Sequence, residues 1–205
     1  MTRESVENWI EAQPPGSVFS ASDLPPSISR GVRDEMLSRR EIECVGAIDE
    51  STTYSLCQQL RHLAYEDSYE RITIYFNSPG GEVQSGLAIY DVMQAIPCPV
   101  RTVCLGQASS MAALLFVAGD ERLMLPHARI LIHDPLVRGG IGGSALEIKT
   151  LSDNLMRTRE ITAEVLSRHT GHTLEEVLAT TSHDAWFEAP EAVKWGLADK
   201  VITEL

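Results

Sequence analysis

The chain has 205 residues, 43% hydrophobic and 22% charged, the proportions of an ordinary globular protein with length enough for one domain and a sizeable core. The 17 Lys and Arg stand against 29 Asp and Glu, and the formal net charge of −12 argues against a nucleic-acid partner, which needs a concentrated basic face. No apolar run approaches the ~20 residues of a membrane-spanning helix; the longest, Met111–Gly119, is short and rich in small residues, so no membrane partner is expected.

Residues 1–35 carry Pro14, Pro15, Gly16, Pro25 and Pro26 among several serines and read as an N-terminal arm, with 36–205 as the folded domain. Val6, Trp9 and Ile10 share one face at helical spacing and suggest a short helix over Ser5–Glu11. Glu4, Glu7 and Glu11 stand where a secretory leader would be basic and then apolar, so none is expected. Ile42–Ile48 reads as a strand and Ser51–Ala64 as an amphipathic helix, with Asp49 and Ser51 as cap candidates. Arg71–Phe76, rich in β-branched and aromatic residues, reads as a buried strand that Asn77-Ser78-Pro79-Gly80-Gly81 breaks. A helix over Gln84–Ile96, a strand over Val100–Leu105 and a helix over Ser110–Val117 follow, then short strands at Arg122–Leu125 and Arg129–Ile132. Gly139, Gly140, Gly142 and Gly143 precede a long helix over Ser144–His169. The next helix opens near Thr173, whose hydroxyl caps it with Glu175 and Glu176 in the first turn, and Pro190–Trp195 is the last. Such alternation implies an α/β fold with a largely parallel, buried sheet.

Cys44, Cys57, Cys98 and Cys104 form no C-x-x-C pair, and three of them sit in or beside apolar segments as small hydrophobes, so a reduced, cytoplasmic setting is expected. The histidines make no H-E-x-x-H or similar set, so no metal is expected. Asn77–Gly81 lacks the Lys of a phosphate loop, which disfavours a nucleotide cofactor.

Gly106-Gln107-Ala108-Ser109-Ser110-Met111 follows a predicted strand and opens a predicted helix. The unpaired N–H groups of a helix start suit an oxyanion, so a serine there fits acyl transfer. Capping the helix is the commoner role, and the segment alone favours it. No G-x-S-x-G is present, so an α/β-hydrolase is unsupported. His133 ends an apolar run beside the turn Asp134-Pro135 and is better placed to face a cleft than His62, His127, His169, His172 or His183. Asp134, Asp153 and Asp184 all qualify as the acid that would orient it, and spacing does not choose among them. The glycines of Asn77–Gly81 either supply a further oxyanion N–H or make a plain tight turn.

Taken together and in order, Ile72–Gly81 (ITIYFNSPGG), Ala88–Ile96 (AIYDVMQAI), Gly106–Met111 (GQASSM), Leu125–Leu136 (LPHARILIHDPL), His169–Gly171 (HTG) and Ala189–Asp199 (APEAVKWGLAD) resemble the proteolytic subunit of Clp protease, a serine peptidase family. The resemblance spans roughly 36–203 of the chain. It implies a crotonase-like fold of repeated ββα units with a protruding handle helix, here Ser144–His169. It implies Ser110 as nucleophile, His133 as general base, Asp184 as acid, and the N–H groups of Gly81 and Met111 as oxyanion hole. Gly80, Pro135, Leu136, Gly139 and Gly140 would bind substrate, the Gly-rich segment pairing with it as an added strand. The family's subunits form seven-membered rings, stacked in pairs, fed by an AAA+ Clp unfoldase; a second subunit of the same type is the other expected partner, and no cofactor is implied. Asp134 stands where the family usually has Gln, and as a neighbouring charge it is expected to raise the pKa of His133. His183 stands in place of the usual Arg that links rings, and Thr73, Ala95 and Leu123 replace aromatic residues expected in unfoldase-docking pockets. These departures keep a second expectation open: a divergent subunit, inactive alone and functional only in a mixed ring or with a dedicated partner. A crotonase-like acyl-CoA enzyme is a third, though it leaves the co-occurrence of Ser110, His133 and Asp184 unexplained.

Overall fold

Apolar β-branched runs that are buried on both faces pair most readily in parallel, with helices as crossovers. The computed structural model describes residues 26–137, 139–140 and 142–205. Helix α1 (Pro26–Ser38) leads into β1 (Glu41–Ile48), α2 (Glu50–Glu66), β2 (Ile72–Gly81), α3 (Val83–Ala95), β3 (Val100–Ser109), α4 (Met111–Val117), β4 (Glu121–Met124) and β5 (Arg129–Ile132). Then come the long α5 (Ala145–Thr170), α6 (Leu174–Thr181), β6 (Ala185–Glu188), α7 (Ala189–Trp195) and β7 (Lys200–Val201). The strands form one sheet in the order β1-β2-β3-β4-β7. β4 pairs the first half of β3 and β5 pairs its last residues, Gln107–Ser109. All these ladders are parallel; only β6, which pairs β5, runs antiparallel. The expected α/β fold is the one observed.

Every side chain of α4 is buried, which accounts for its unbroken apolar run: it packs on β1, β2 and β3 rather than presenting one face to water. Phe116 meets Phe76 of β2 edge to face at 6.1 Å. Leu56, Leu60 and Leu63 of α2 and Ile89 and Met93 of α3 complete the core around Ile42, Ile72 and Ile74. Burial pushes the Cys44 and Cys104 thiols up to about 12, so both behave as inert hydrophobes. Local caps fix the helix starts. The Asp49 carboxylate accepts the Thr52 N–H, and Ser144 with Glu147, and Thr173 with Glu176, make reciprocal capping boxes. The N-terminal half of α5 is exposed and its buried residues begin at Thr162, consistent with a helix standing partly clear of the body. No helix among the described residues is long and apolar enough to cross a membrane.

The structure differs from the sequence reading in instructive places. Asn77–Gly81 does not break β2 but is its last part, and β3 runs on through Gln107–Ser109. Register shifts in both flanking ladders, between Val45 and Ala47 and between Phe76 and Ser78, absorb Pro79, whose missing N–H would otherwise interrupt a central strand. The Ser78 hydroxyl donates to the Gly46 carbonyl at 2.6 Å and accepts the Gly80 N–H at 3.1 Å, replacing the lost ladder bonds. Helix α1 crosses residue 35, where arm and domain were expected to meet, and starts at Pro26, a position where the absent N–H costs nothing. The expected helix over Ser5–Glu11 lies outside the described residues. No described residue between His133 and Gly143 belongs to a strand.

Candidate active site

In a parallel sheet the carboxyl ends of the strands share one edge, and ligand sites form there. Ser110 follows β3 and turns sharply into α4, with φ 56° and ψ −122°. Among the described residues only Arg40 and Ser110 combine a positive φ with a side chain. The Ser110 N–H donates to the Leu131 carbonyl of β5 at 2.8 Å, and its own carbonyl accepts the Ala113 N–H at 2.9 Å. The chain lacks G-x-S-x-G, yet its backbone makes the same kind of tight strand–turn–helix corner, a strained conformation typical of functional residues.

His133 follows β5 and Asp184 precedes β6. The antiparallel ladder runs Arg129 with Glu188 to Ile132 with Ala185, so the next opposed position brings His133 across from Asp184. His133 Nε2 lies 2.9 Å from Ser110 Oγ, and Nδ1 lies 3.1 Å from Asp184 Oδ1. The imidazole is 12% exposed and the Asp184 carboxylate 66% exposed in the single chain. With the proton on Nδ1, that N–H donates to the carboxylate while Nε2 accepts the serine hydroxyl. Three residues drawn from 110 to 184 thus form one hydrogen-bonded chain.

Gly80 and Gly81 end β2 beside this chain. A Cβ on Gly80 would stand 2.4 Å from the Ser109 carbonyl oxygen and 3.0 Å from the Met111 nitrogen, and one on Gly81 would stand 2.0 Å from the Ile48 carbonyl oxygen. Only glycine permits both approaches. The Glu82 N–H donates to the Ile48 carbonyl of β1 at 2.8 Å, which ties the end of β2 to the end of β1. As the first helical residue of α4, Met111 has an N–H with no partner inside the helix.

A cavity of about 440 Å3 opens over these groups, lined by Ser110, His133, Gly80, Gly81, Pro135 and Leu136 among others. Gly139 and Gly140 do not line it; both are exposed, with no neighbouring atom in reach of an added Cβ. Asp49 and Glu82 do line it and were missed as site residues. Asp49 reads from sequence as a helix cap, which it is, and its place one residue past β1 brings it to the same edge. The Thr52 N–H it accepts holds its carboxyl below the usual range.

The Asp134 carboxylate, expected to act on His133, is hydrogen-bonded by two other side chains. Its Oδ2 pairs with Arg159 Nε of α5 at 2.5 Å, and its Oδ1 accepts the Thr181 hydroxyl of α6 at 2.7 Å, so the Arg159 guanidinium compensates its charge. His183 is exposed, its Nδ1 2.8 Å from the Ser182 hydroxyl.

The family model described as Clp protease matches residues 28–205, which contain every residue of this site. The chain belongs to the Clp protease family. Similar relatives span nearly its whole length. The ATP-dependent Clp protease proteolytic subunit 2 of Thermobifida fusca (strain YX) is 40% identical over 193 residues, 93% of this chain and 94% of the relative. The protein of the same description from Nocardia farcinica (strain IFM 10152) is 40% identical over 188 residues, 91% of this chain and 92% of the relative. The one from Corynebacterium glutamicum is 39% identical over 180 residues, 87% and 89%. The Clp protease fold and a peptide-hydrolysing role as a proteolytic subunit follow for this chain, and the acyl-CoA alternative falls.

Proposed function

We propose that this Clp protease family member is a serine endopeptidase in which Ser110 is the nucleophile, His133 the general base and Asp184 the acid. The observation that carries the reading is the unbroken chain from Ser110 Oγ to His133 Nε2 at 2.9 Å and from His133 Nδ1 to Asp184 Oδ1 at 3.1 Å, set at the mouth of a cavity. Nε2 takes the hydroxyl proton as Ser110 Oγ attacks a peptide carbonyl carbon. The Asp184 carboxylate holds Nδ1–H and stabilises the imidazolium. The N–H groups of Gly81 and Met111 receive the tetrahedral oxyanion. Collapse breaks the C–N bond as His133 returns the proton to the leaving amine, and water repeats the cycle on the acyl-enzyme.

Substrate is an extended peptide lying along Gly80, Pro135 and Leu136, with Gly139 and Gly140 offering main chain further out. Unfolded proteins are degraded inside stacked seven-membered rings of this chain, delivered there by an ATP-driven AAA+ Clp unfoldase, or in rings shared with a second subunit of the family. The free cysteines among the described residues, three of them buried, support a reduced cytoplasmic setting. The test is labelling with a fluorophosphonate probe. Labelling that survives in Ser109→Ala and vanishes in Ser110→Ala is expected; a well-folded oligomer that does not label overturns an active homomeric enzyme.

A further inference from the structure

The ladder that sets His133 opposite Asp184 ends one residue too soon to hold them, since its last pair is Ile132 with Ala185. Among the described residues the Asp184 carboxylate bonds only the imidazole, and it is well exposed. An exposed pair held by one contact is mobile unless its backbone is fixed on both sides.

The second fixing point is Asp134. Its N–H donates to the Thr181 carbonyl at 2.7 Å, and the Thr181 hydroxyl donates back to Asp134 Oδ1 at 2.7 Å. Asp134 directly follows His133, and Thr181 lies a single turn ahead of Asp184. The ladder and this double link therefore bracket the His133–Asp184 pair. Arg159 of α5 closes the bracket, donating from Nε to Asp134 Oδ2 at 2.5 Å and from Nη2 to the Leu178 carbonyl of α6 at 2.9 Å. The Arg159 and Asp134 side chains are only 23% and 30% exposed, and Thr181 is buried, so these charge-assisted bonds are partly shielded from water.

Resting on the catalytic reading of Ser110, His133 and Asp184, we propose that Asp134, clamped by Arg159 and Thr181, is a positioning residue that fixes the His133–Asp184 separation. Asp134 touches neither imidazole nor cavity and acts through the backbone on either side of the pair. Reaction rate is steep in such geometry, since a displacement of about 1 Å can cost on the order of 100-fold.

The test uses the assembled full-length protein and compares Asp134→Asn, Arg159→Met, Arg159→Lys and the double variant Asp134→Asn with Arg159→Met. Readouts are kcat and KM on a fluorogenic peptide, the rate of fluorophosphonate labelling, the melting temperature and the oligomer size. Arg159→Met and Asp134→Asn should each lower kcat and labelling rate roughly 10- to 100-fold with KM within about 2-fold. Arg159→Lys, which keeps the charge and one donor, should recover part of the loss, and the double variant should be no worse than the poorer single. Wild-type rates in both neutralising variants, or losses that follow only KM or the fraction of folded oligomer, would overturn the clamp while leaving the catalytic reading intact. Undiminished peptide cleavage by Ser110→Ala would overturn the catalytic reading and the clamp with it.

Discussion

His133 and Asp184 stand opposite one another at the first position past the β5–β6 ladder, and Ser110, on the other side of β5, donates its N–H to Leu131. One short strand of four residues therefore sets the whole hydrogen-bonded chain through two ladders, parallel to β3 and antiparallel to β6. Because side chains alternate across a sheet, slipping either ladder by one residue would turn His133 to the opposite face. Arrival of three distant residues at one point is thus a matter of register, not of local sequence.

Asp184→Asn tests the weakest-held member. The amide keeps the shape but favours the wrong imidazole tautomer and cannot stabilise an imidazolium, so kcat should fall roughly 100- to 10,000-fold. The melting temperature should not move, because the carboxylate is exposed and such pairs contribute little to stability. Steady-state peptide cleavage beside a thermal melt decides it, and an unchanged kcat would strip Asp184 of its role.

Register is also what separates the legible from the hidden. Capping boxes at Ser144 and Thr173 and the β-branched run around Ile72–Phe76 are local, so helix starts and buried strands could be read directly. Pro79 looked like a strand breaker because the bonds that excuse it come from Gly46 and Ser78, one of them on another strand. β6 spans four residues whose only strand partner among the described residues is β5, and without it spacing alone left Asp134, Asp153 and Asp184 equally eligible. Resemblance to the family, not residue physics, singled out Asp184. The Asp134–Arg159 pair joins positions 25 residues apart, with the Gly-rich segment between them, and no local pattern announces it.

Ser110 holds φ 56° and ψ −122°, a conformation that glycine adopts freely and alanine does not. Replacing the serine by either residue removes the hydroxyl and its bond to His133 alike. Ser110→Gly should therefore be more stable than Ser110→Ala by about 1 kcal/mol, the strain outweighing glycine's greater freedom when unfolded. Both should be inactive. Denaturant midpoints at one fixed protein concentration measure the difference; equal midpoints would mean that the corner is not strained.

Gly80→Ala places a methyl against the Ser109 carbonyl oxygen and the Met111 nitrogen, backbone atoms that cannot swing aside, at a residue whose φ is 85°. Stability should fall by about 1–3 kcal/mol from the backbone conformation alone. Because the methyl also crowds the Met111 N–H, fluorophosphonate labelling should drop roughly 100-fold in whatever protein remains folded, the usual cost of losing one oxyanion donor. Gly142→Ala is the control: nothing lies near the added methyl, and both readouts should match wild type. A Gly80→Ala protein that labels at the wild-type rate would remove the Met111 N–H from the oxyanion hole.

His169, near the end of α5, carries a pH signature of its own. Burial, together with the Arg168 and Arg122 guanidiniums and against the opposing pull of Asp120, holds its imidazole below the ordinary value of 6.5, while its Nε2 lies 3.0 Å from the Tyr90 hydroxyl. A base whose folded pKa is lowered stays neutral in the native state while the unfolded chain takes up a proton. Its contribution is complete above pH 6.5 and is lost as pH falls below that value. The slope from this one group cannot exceed about 1.4 kcal/mol per pH unit, and partial exposure makes it smaller. His169→Gln removes the titration, so its stability should fall less steeply than wild type between about pH 6.5 and 5, with other titrating groups common to both proteins. Thermal melts of the two across that range give the answer in the difference curve: a slope confined to acid pH supports the buried neutral imidazole, and parallel curves would mean that His169 titrates as it does in the unfolded chain.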